Sequence, residues 1–243
     1  MPAFTFFHTA DLHNRLSPAA ARRLADLKRR HEGALLLDAG DAIGAGNLTF
    51  RPGGEPILRR MAEIGYDAMS MGNRESHPLR RILERKLRDA AFPVLAANMR
   101  SERQPLPPSV RPHAIFDTAA GRVAVIGLAP QITRPNSLWS RLTDYVFDDA
   151  IATAEELSAG LRGEVDLVIC LSHCGEGIDA EIAALEGVDL VLGGHTHAER
   201  VSQRSGQALV VHPGHHGNHV AQTQMTSRDD ARGVLLPLEE RDD

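Results

Sequence analysis

Cysteine, aromatic side chains and long apolar runs are all scarce in this chain. It has two cysteines, Cys170 and Cys174, in 243 residues. That is no disulfide framework, and it fits a reducing, cytoplasmic compartment. Aromatic residues make up 4% of the chain, with a single tryptophan, so the core must be built from Leu, Val, Ile and Ala. No apolar run is long enough to span a bilayer, and the N-terminal M-P-A-F-T-F-F-H lacks the basic start of a signal peptide. Positive charge is not in excess either. The formal net charge of −5 argues against general affinity for nucleic acid or an anionic membrane. The basic run Arg22–Arg30 falls in a helical pattern and reads as a solvated face. What is abundant is histidine, twelve in all, many beside Gly, Asp or Asn. Such clustering is a compositional hint of a metal site.

Short apolar runs alternate with amphipathic helices, the pattern of an α/β sandwich. Strands are expected at Phe4–His8, Ala34–Asp38, Ala68–Met71, Pro93–Ala97, Ala114–Asp117, Arg122–Leu128 and Val165–Leu171. Three more, Leu209–His212, Val220–Thr226 and Val234–Leu238, close the chain, the last two joined as a hairpin through D-D-A-R-G. Helices are expected at Pro18–His31, Glu55–Ile64 (stopped by Gly65), Pro78–Ala90, Asp148–Leu161 and Ile178–Leu185. The stretch Ser101–Pro112 holds four prolines and is expected to be irregular. Strands resume after it, so one domain over 1–243 is expected. Two loops are long: 43–54, rich in Gly, Asn and Pro, and 131–145, which carries Trp139.

The most informative stretch is Val188–His197, V-D-L-V-L-G-G-H-T-H. It reads as a buried strand that stops at two glycines and presents two imidazoles. Alone, it is equally a strand end with two hydrogen-bonded histidines. Metal-type side chains, however, recur just past other strands: Asp11 and His13, Asp41, Asn73, His173, then His195 and His197. Ligands of open α/β sheets bind outside the carboxyl ends of strands. Two carboxylates, one amide and four imidazoles form a mixed N/O set without thiolate. That set suits Mn, Fe, Zn, Co or Ni rather than Ca or a structural zinc. It is too large for one tetrahedral ion and about right for two ions sharing a carboxylate.

The motifs H-T-A-D-L-H (8–13), A-G-D (39–41), G-Y-D-A-M-S-M-G-N (65–73), L-S-H-C-G (171–175) and G-G-H-T-H (193–197) stand in the order of a known family. The chain resembles the calcineurin-like metallophosphoesterases, and more narrowly the catalytic domain of the 5′-nucleotidase branch. The resemblance implies a four-layer α/β/β/α sandwich of two mixed sheets flanked by helices. It implies Asp11, His13 and His197 on a first metal, Asn73, His173 and His195 on a second, and Asp41 bridging both. Manganese heads the expected metals. The implied reaction is hydrolysis of phosphomonoesters or phosphodiesters, nucleotides among them, by a hydroxide held between the ions. The P-G-H-H-G-N-H segment (213–219) resembles one that follows the last ligand in this branch. His212, His215, His216 and His219 are therefore candidates to line the mouth of the site, one or two of them against substrate, although each taken singly reads first as structural. His8, ahead of the ligands, is expected to support or pack behind them.

Two departures qualify this reading. The branch usually has G-N-H-E, then an acid, where the histidine assists the transition state or protonates the leaving group. Here the segment is G-N-R-E-S-H, with Arg74 and His77 at those places. Arginine stays protonated at neutral pH and cannot serve as general acid, but it can lie against phosphoryl oxygens. His77 is the candidate proton donor. The competing readings are a surface arginine and a capping or exposed histidine. The second departure is length: the branch's C-terminal nucleotide-binding domain is not expected in this chain. Specificity would then rest on the 43–54 loop, the Trp139 loop or a partner subunit. Two alternatives remain at this point: hydrolysis of a related group, as in a thiosulfohydrolase relative, and a metal-binding scaffold or regulatory protein that has lost turnover.

Overall fold

Residue alternation along the strands sorts the side chains into three apolar layers. In β1 (Phe4–Thr9), Phe4 and Phe6 face one way and Phe7 the other. Likewise Val123 and Val125 of β8 (Gly121–Leu128) face one layer, and Ala124 and Ile126 the next. A strand buried on both faces must lie in a sheet covered on both sides, here by helices outside and a second sheet inside. The computed structural model describes residues 3–101 and 103–239, so residues 1–2, residue 102 of the proline-rich stretch and residues 240–243 lie outside it.

The first sheet is built from β1, β2 (Leu35–Asp38), β3 (Ala68–Ser70), β4 (Val94–Leu95), β6 (Val110–Arg111), β14 (His219–Met225) and β15 (Arg232–Pro237). Its order is β15-β14-β1-β2-β3-β4-β6. Strands β1 to β6 of this sheet run parallel, and β14 returns antiparallel to β1. The second sheet has the order β12-β13-β11-β10-β8-β7. Its members are β7 (His113–Thr118), β8, β10 (Leu167–Ser172), β11 (Leu190–Gly193), β12 (Glu199–Ser202) and β13 (Leu209–Pro213). Strands β8, β10, β11 and β13 are parallel, flanked by antiparallel β7 and β12.

Helices α1 (Pro18–Arg30), α2 (Pro56–Ile64) and α3 (Arg80–Leu87) cover the first sheet through Leu24, Leu58, Met61 and Leu83. Helices α4 (Ala150–Leu161) and α5 (Glu176–Ile182) cover the second through Ala154, Leu161 and Ile182. Between the sheets, Phe4, Phe6, Leu37, Val125, Ile169, Leu171 and Leu192 form a shared inner core. The result is the expected four-layer α/β/β/α sandwich.

Local signals explain the helix ends. Ser17 caps α1 by accepting the N–H of Ala20 at 3.1 Å, with Pro18 in the first turn. Gly65 ends α2 at φ 97°. The structure also departs from the expectations. Helix α3 is shorter than Pro78–Ala90, because Leu79 is extended at its N-cap. Helix α5 starts earlier, at Glu176. The proline-rich stretch contributes Val110–Arg111 as a sheet edge, where missing N–H groups cost least. A two-stranded ribbon pairs β5 (Met99–Arg100) with β9 (Val146–Phe147). Strand β12, exposed along its whole length, adds to the expected set, since no buried face imposes an alternation on it.

Candidate metal centre

Five parallel strands bring the seven expected ligands to one end of the molecule. β1 runs into Asp11 and His13, β2 into Asp41, β3 into Asn73, β10 into His173, and β11 into His195 and His197. The turns are unusually tight. Asp11, His13, Asp41, His195 and His197 all have left-handed backbone, with φ between 47° and 76°. Each such residue costs about 1–3 kcal/mol, and such strain persists where surrounding structure fixes it, commonly at functional sites. The fixing bonds are visible. Asp11, His13 and Asn14 donate backbone N–H groups to the carbonyls of Gly40, Asp41 and Ala42 at 2.9, 3.0 and 2.7 Å. Gly72 makes room for this packing, because a Cβ there would fall 2.2 Å from Asp41 Oδ1.

The side chains converge without bonding one another. Asp41 Oδ2 lies 3.7 Å from His13 Nε2, and its Oδ1 lies 3.5 Å from His173 Nε2. Asp11 Oδ1 lies 3.6 Å from His13, 3.8 Å from His173 and 3.4 Å from His197, each at Nε2. Asp11 Oδ1, His13 Nε2, Asn73 Oδ1 and His173 Nε2 are buried and make no hydrogen bond. Buried polar atoms left so are costly, and a cation is the partner this donor set fits. His173 shows the same preparation. Its Nδ1 bonds the carbonyl oxygen of Ala39 at 2.7 Å, which places the Nδ1 proton there and leaves Nε2 as lone pair in the neutral ring. Two groups of candidate donors fall within 4.8 Å: Asp11, His13 and His197, and Asp11, Asp41 and His173. His195 and Asn73 flank these. The His195 ring centre is 5.0 Å from that of His173, and its backbone N–H donates to Asp11 Oδ2 at 2.8 Å. Asn73 spends its amide Nδ2 on Asn47 Oδ1 at 3.4 Å, which leaves its own Oδ1 for other use.

The electrostatics follow from burial and proximity. Burial favours a neutral Asp41, but the imidazoles of His13 and His173 close to its oxygens and the backbone N–H of Arg74 hold its carboxyl well below the usual range. Burial alone would lower His173, yet Asp41 and Asp11 outweigh it and raise the imidazole to about 9.

The model for the calcineurin-like phosphoesterases matches residues 4–199. The chain belongs to this family. It is 31% identical over 231 residues to the trifunctional nucleotide phosphoesterase protein YfkN of Bacillus subtilis, covering 79% of this chain and 16% of that protein. It is also 31% identical over 219 residues to the snake venom 5′-nucleotidase of Gloydius brevicauda, covering 79% and 37%. The chain thus spans well under half the length of these curated relatives. The crystal structure of a 5′-nucleotidase precursor from Thermus thermophilus superposes with a TM-score of 0.80 at 25% identity, covering 97% of this chain and 54% of that one.

Within this calcineurin-like centre, Arg74 and His77 take different positions. Arg74 sits against the ligands: its backbone N–H donates to Asp41 Oδ1 at 2.6 Å, its Nε is 3.6 Å from Asp41 Oδ2, and its Nη1 donates to the Gly44 carbonyl at 3.3 Å. His77 is held by the main chain. Its Nδ1 accepts the N–H of Leu79 at 3.0 Å. His77 lines a small cavity with Asn47, Leu48 and Tyr145, and none of the seven expected ligands is among that cavity's lining residues. The later histidines also separate. His215 stacks on His197 with ring centres 4.6 Å apart, and His216 packs 5.3 Å from His13. His219 meets Glu199 at 3.3 Å. His212 is not at the mouth. It is fully buried beneath Gly193, with Nε2 2.9 Å from Asp179 Oδ2.

Three supporting residues lie outside the candidates that the sequence offers. Buried Glu75 accepts the N–H groups of Asp41 and Gly72 on Oε2, at 2.9 and 3.0 Å, and that of Ile43 on Oε1 at 3.1 Å. It welds the Asp41 loop to the Asn73 loop, and its place in G-N-R-E is the signal that could have found it. Asp179 joins Ser172 to His212 behind β10 and β11. Lys86, in the charged helix α3, is buried at 1% exposure. Its Nζ donates to the carbonyls of Gly46, Asn47, Arg74 and Ser76.

Proposed function

We propose that this protein is a metal-dependent hydrolase of phosphate esters, with nucleotides as substrates. The observation that carries the reading is Asp41, whose two oxygens face His13 and His173 on opposite sides. A carboxylate so placed can neutralise two cations at once, and the unpaired buried donors around it supply the remaining ligands. When bound, two divalent ions at this centre supply charge against phosphoryl oxygens and acidify a water. By this reading Asp11, His13 and His197 hold one ion and Asn73, His173 and His195 the other. The mixed N/O donor set supports manganese, iron, zinc, cobalt or nickel. The relatives' names, nucleotide phosphoesterase and 5′-nucleotidase, support the nucleotide class. The two free thiols support a reducing, cytoplasmic setting.

The chain's own residues then do the following. Glu75 and the backbone bonds between the β1 and β2 loops fix the donors before substrate arrives. Arg74 lies beside Asp41 and presents a permanent cation to the charge that builds on the phosphoryl group. It donates no proton to the leaving group. His77 accepts the Leu79 N–H on Nδ1, so that nitrogen is committed to holding the loop. Turnover should therefore be fastest on esters whose alcohol leaves without strong acid assistance and slower on nucleoside monophosphates, since losing a general acid costs roughly 10²–10⁴-fold.

The test is release of p-nitrophenol from p-nitrophenyl phosphate and its bis-ester, and of phosphate from nucleoside monophosphates. Each is run with added Mn²⁺, Co²⁺ or Zn²⁺ and after chelation. Turnover that chelation removes and metal restores is the expected result. Tight metal binding with no turnover on any ester would leave the scaffold reading instead.

A further inference from the structure

Beside the metal centre lies a cleft that the chemistry above does not use. It encloses about 820 Å³ between the start of α1 and the 213–219 loop. That volume falls within the range of small-molecule sites. Arg15, Arg23, His216 and His219 line it, with Ser17 and Glu239 at one side. Glu239, the sole acid among the lining residues, already accepts the hydroxyl of Ser17. The guanidinium groups of Arg15 and Arg23 have no hydrogen-bond or ion-pair partner among the described residues.

His216 joins the cleft to the metal centre. Its ring is 5.3 Å from that of His13, and its backbone N–H donates to the Asp11 carbonyl at 2.9 Å. Its own backbone is left-handed, at φ 58°, and the residue both lines the cleft and touches a metal-ligand ring. A substrate whose scissile phosphoryl group lies at the metals would enter the cleft by passing its other end beside this ring. The chemistry of that end follows from the walls. No aromatic side chain other than imidazole lines the cleft, so a stacked base is poorly served. Two unpaired guanidinium groups in a chain of net charge −5 are suited instead to an anion, and their forked geometry matches phosphate oxygens.

We propose that this cleft is a subsite for a second phosphoryl group, so that the preferred substrates are phosphomonoesters whose alcohol part carries another phosphate. The proposal rests on reading the metal centre as a phosphoesterase site. It extends that reading from esters in general to bisphosphorylated ones.

The experiment compares adenosine 3′,5′-bisphosphate with adenosine 5′-monophosphate and p-nitrophenyl phosphate on the Mn²⁺-loaded protein. Wild type is set against the Arg15→Ala/Arg23→Ala pair and against Arg15→Lys/Arg23→Lys. The expected result is a KM for the bisphosphate about tenfold or more below that for the monophosphate in wild type. The alanine pair should erase that preference and leave p-nitrophenyl phosphate turnover unchanged, and the lysine pair should restore part of it. Equal KM values for the two nucleotides in wild type overturn the subsite. So does an equal loss on all three esters in the alanine pair. If wild type hydrolyses none of the three with any added metal, the hydrolase reading fails separately, and calorimetric binding of the two nucleotides decides the subsite. Tighter binding of the bisphosphate that the alanine pair abolishes sustains it, and equal binding overturns it.

Discussion

Arg74 holds Asp41 from two directions: its backbone N–H donates to Oδ1 at 2.6 Å, and its guanidinium Nε stands 3.6 Å from Oδ2. The two contacts have different dependence on the side chain. The first belongs to the main chain and survives any substitution other than proline. The second is a charge beside the carboxylate that faces both halves of the metal centre. Arg74→Ala should therefore leave metal content near that of wild type and lower kcat by about 10–100-fold, the effect of removing one charged stabiliser of the transition state. Metal analysis alongside steady-state kinetics checks this. A parallel loss of metal and rate would make Arg74 a structural neighbour of the ligands only. Arg74→His tests the other half of the argument. An imidazole there can carry a transferable proton, so the gain should be greatest for esters with poor leaving groups.

Asp41→Asn keeps the shape and an oxygen to accept the Arg74 N–H, but removes the charge shared between His13 and His173. Metal content should fall from about two ions per chain toward one or fewer, and activity should fall by more than about 100-fold. In the metal-free protein the same charge supports the fold. Asp41 is held well below the usual carboxylate range and itself raises His173, so Asn at this place leaves a buried protonated imidazole without its counter-charge, and the metal-free variant should unfold more easily than metal-free wild type at neutral pH. Thermal unfolding with and without Mn²⁺ separates the two effects. A variant that still binds two ions and retains full rate would contradict the shared-carboxylate reading.

Much of this arrangement is legible in the sequence because it repeats. Phe4, Phe6 and Phe7 alternate between layers, and so do the residues of β8, so periodicity reports strands buried on both faces. Ligand-type residues just past those strands then locate the site. What stays hidden lacks such repetition. The β5–β9 ribbon is two residues a side, too short for a period to register. Strand β12 buries no face, so nothing in its side chains marks it as sheet. His212 reads like its neighbours His215 and His216, yet it is turned inward to Asp179, and only the fold decides that. Lys86 is hidden for a related reason. Composition treats a lysine in a charged helix as solvated, and the carbonyls that hold it come from two separate loops that only the fold brings together.

Metal uptake should depend on pH through His173. Its Nε2 must lose a proton before it can ligate. Burial lowers its proton affinity, but Asp41 and Asp11 outweigh burial and set the value at about 9. Below that point proton and metal compete for the same nitrogen, so raising the pH favours metal. Apparent affinity for Mn²⁺ should rise by up to about tenfold per pH unit from neutrality and flatten near pH 9. Proton release on binding, measured by calorimetry in buffers of differing ionisation enthalpy, should disappear above that point. An affinity constant across this window would mean that His173 is already neutral in the metal-free protein.

Lys86 makes the strongest stability prediction. Its Nζ donates to the carbonyls of Gly46 at 2.9 Å, Ser76 at 3.0 Å and Asn47 at 3.4 Å, and to that of Arg74. Burial pushes its ammonium down to about 8, with Glu75 and Glu55 opposing, so it is still largely charged at neutral pH. Lys86→Met fills the space but leaves buried carbonyls without a donor. The loss should be about 2–3 kcal/mol, since each unsatisfied buried group costs about 1–3 kcal/mol and some will reach water. Arg74 gives a second readout, because Lys86 binds its carbonyl while its Nη1 reaches Gly44 on the facing loop. If Lys86 locks those loops so that Arg74 reaches the phosphoryl group, the kcat losses of Lys86→Met and Arg74→Ala will not add. A double-mutant cycle should then show coupling of about 0.5–3 kcal/mol. Additive losses would confine Lys86 to holding the fold, because a purely structural brace lowers stability without sharing its effect on rate with one side chain.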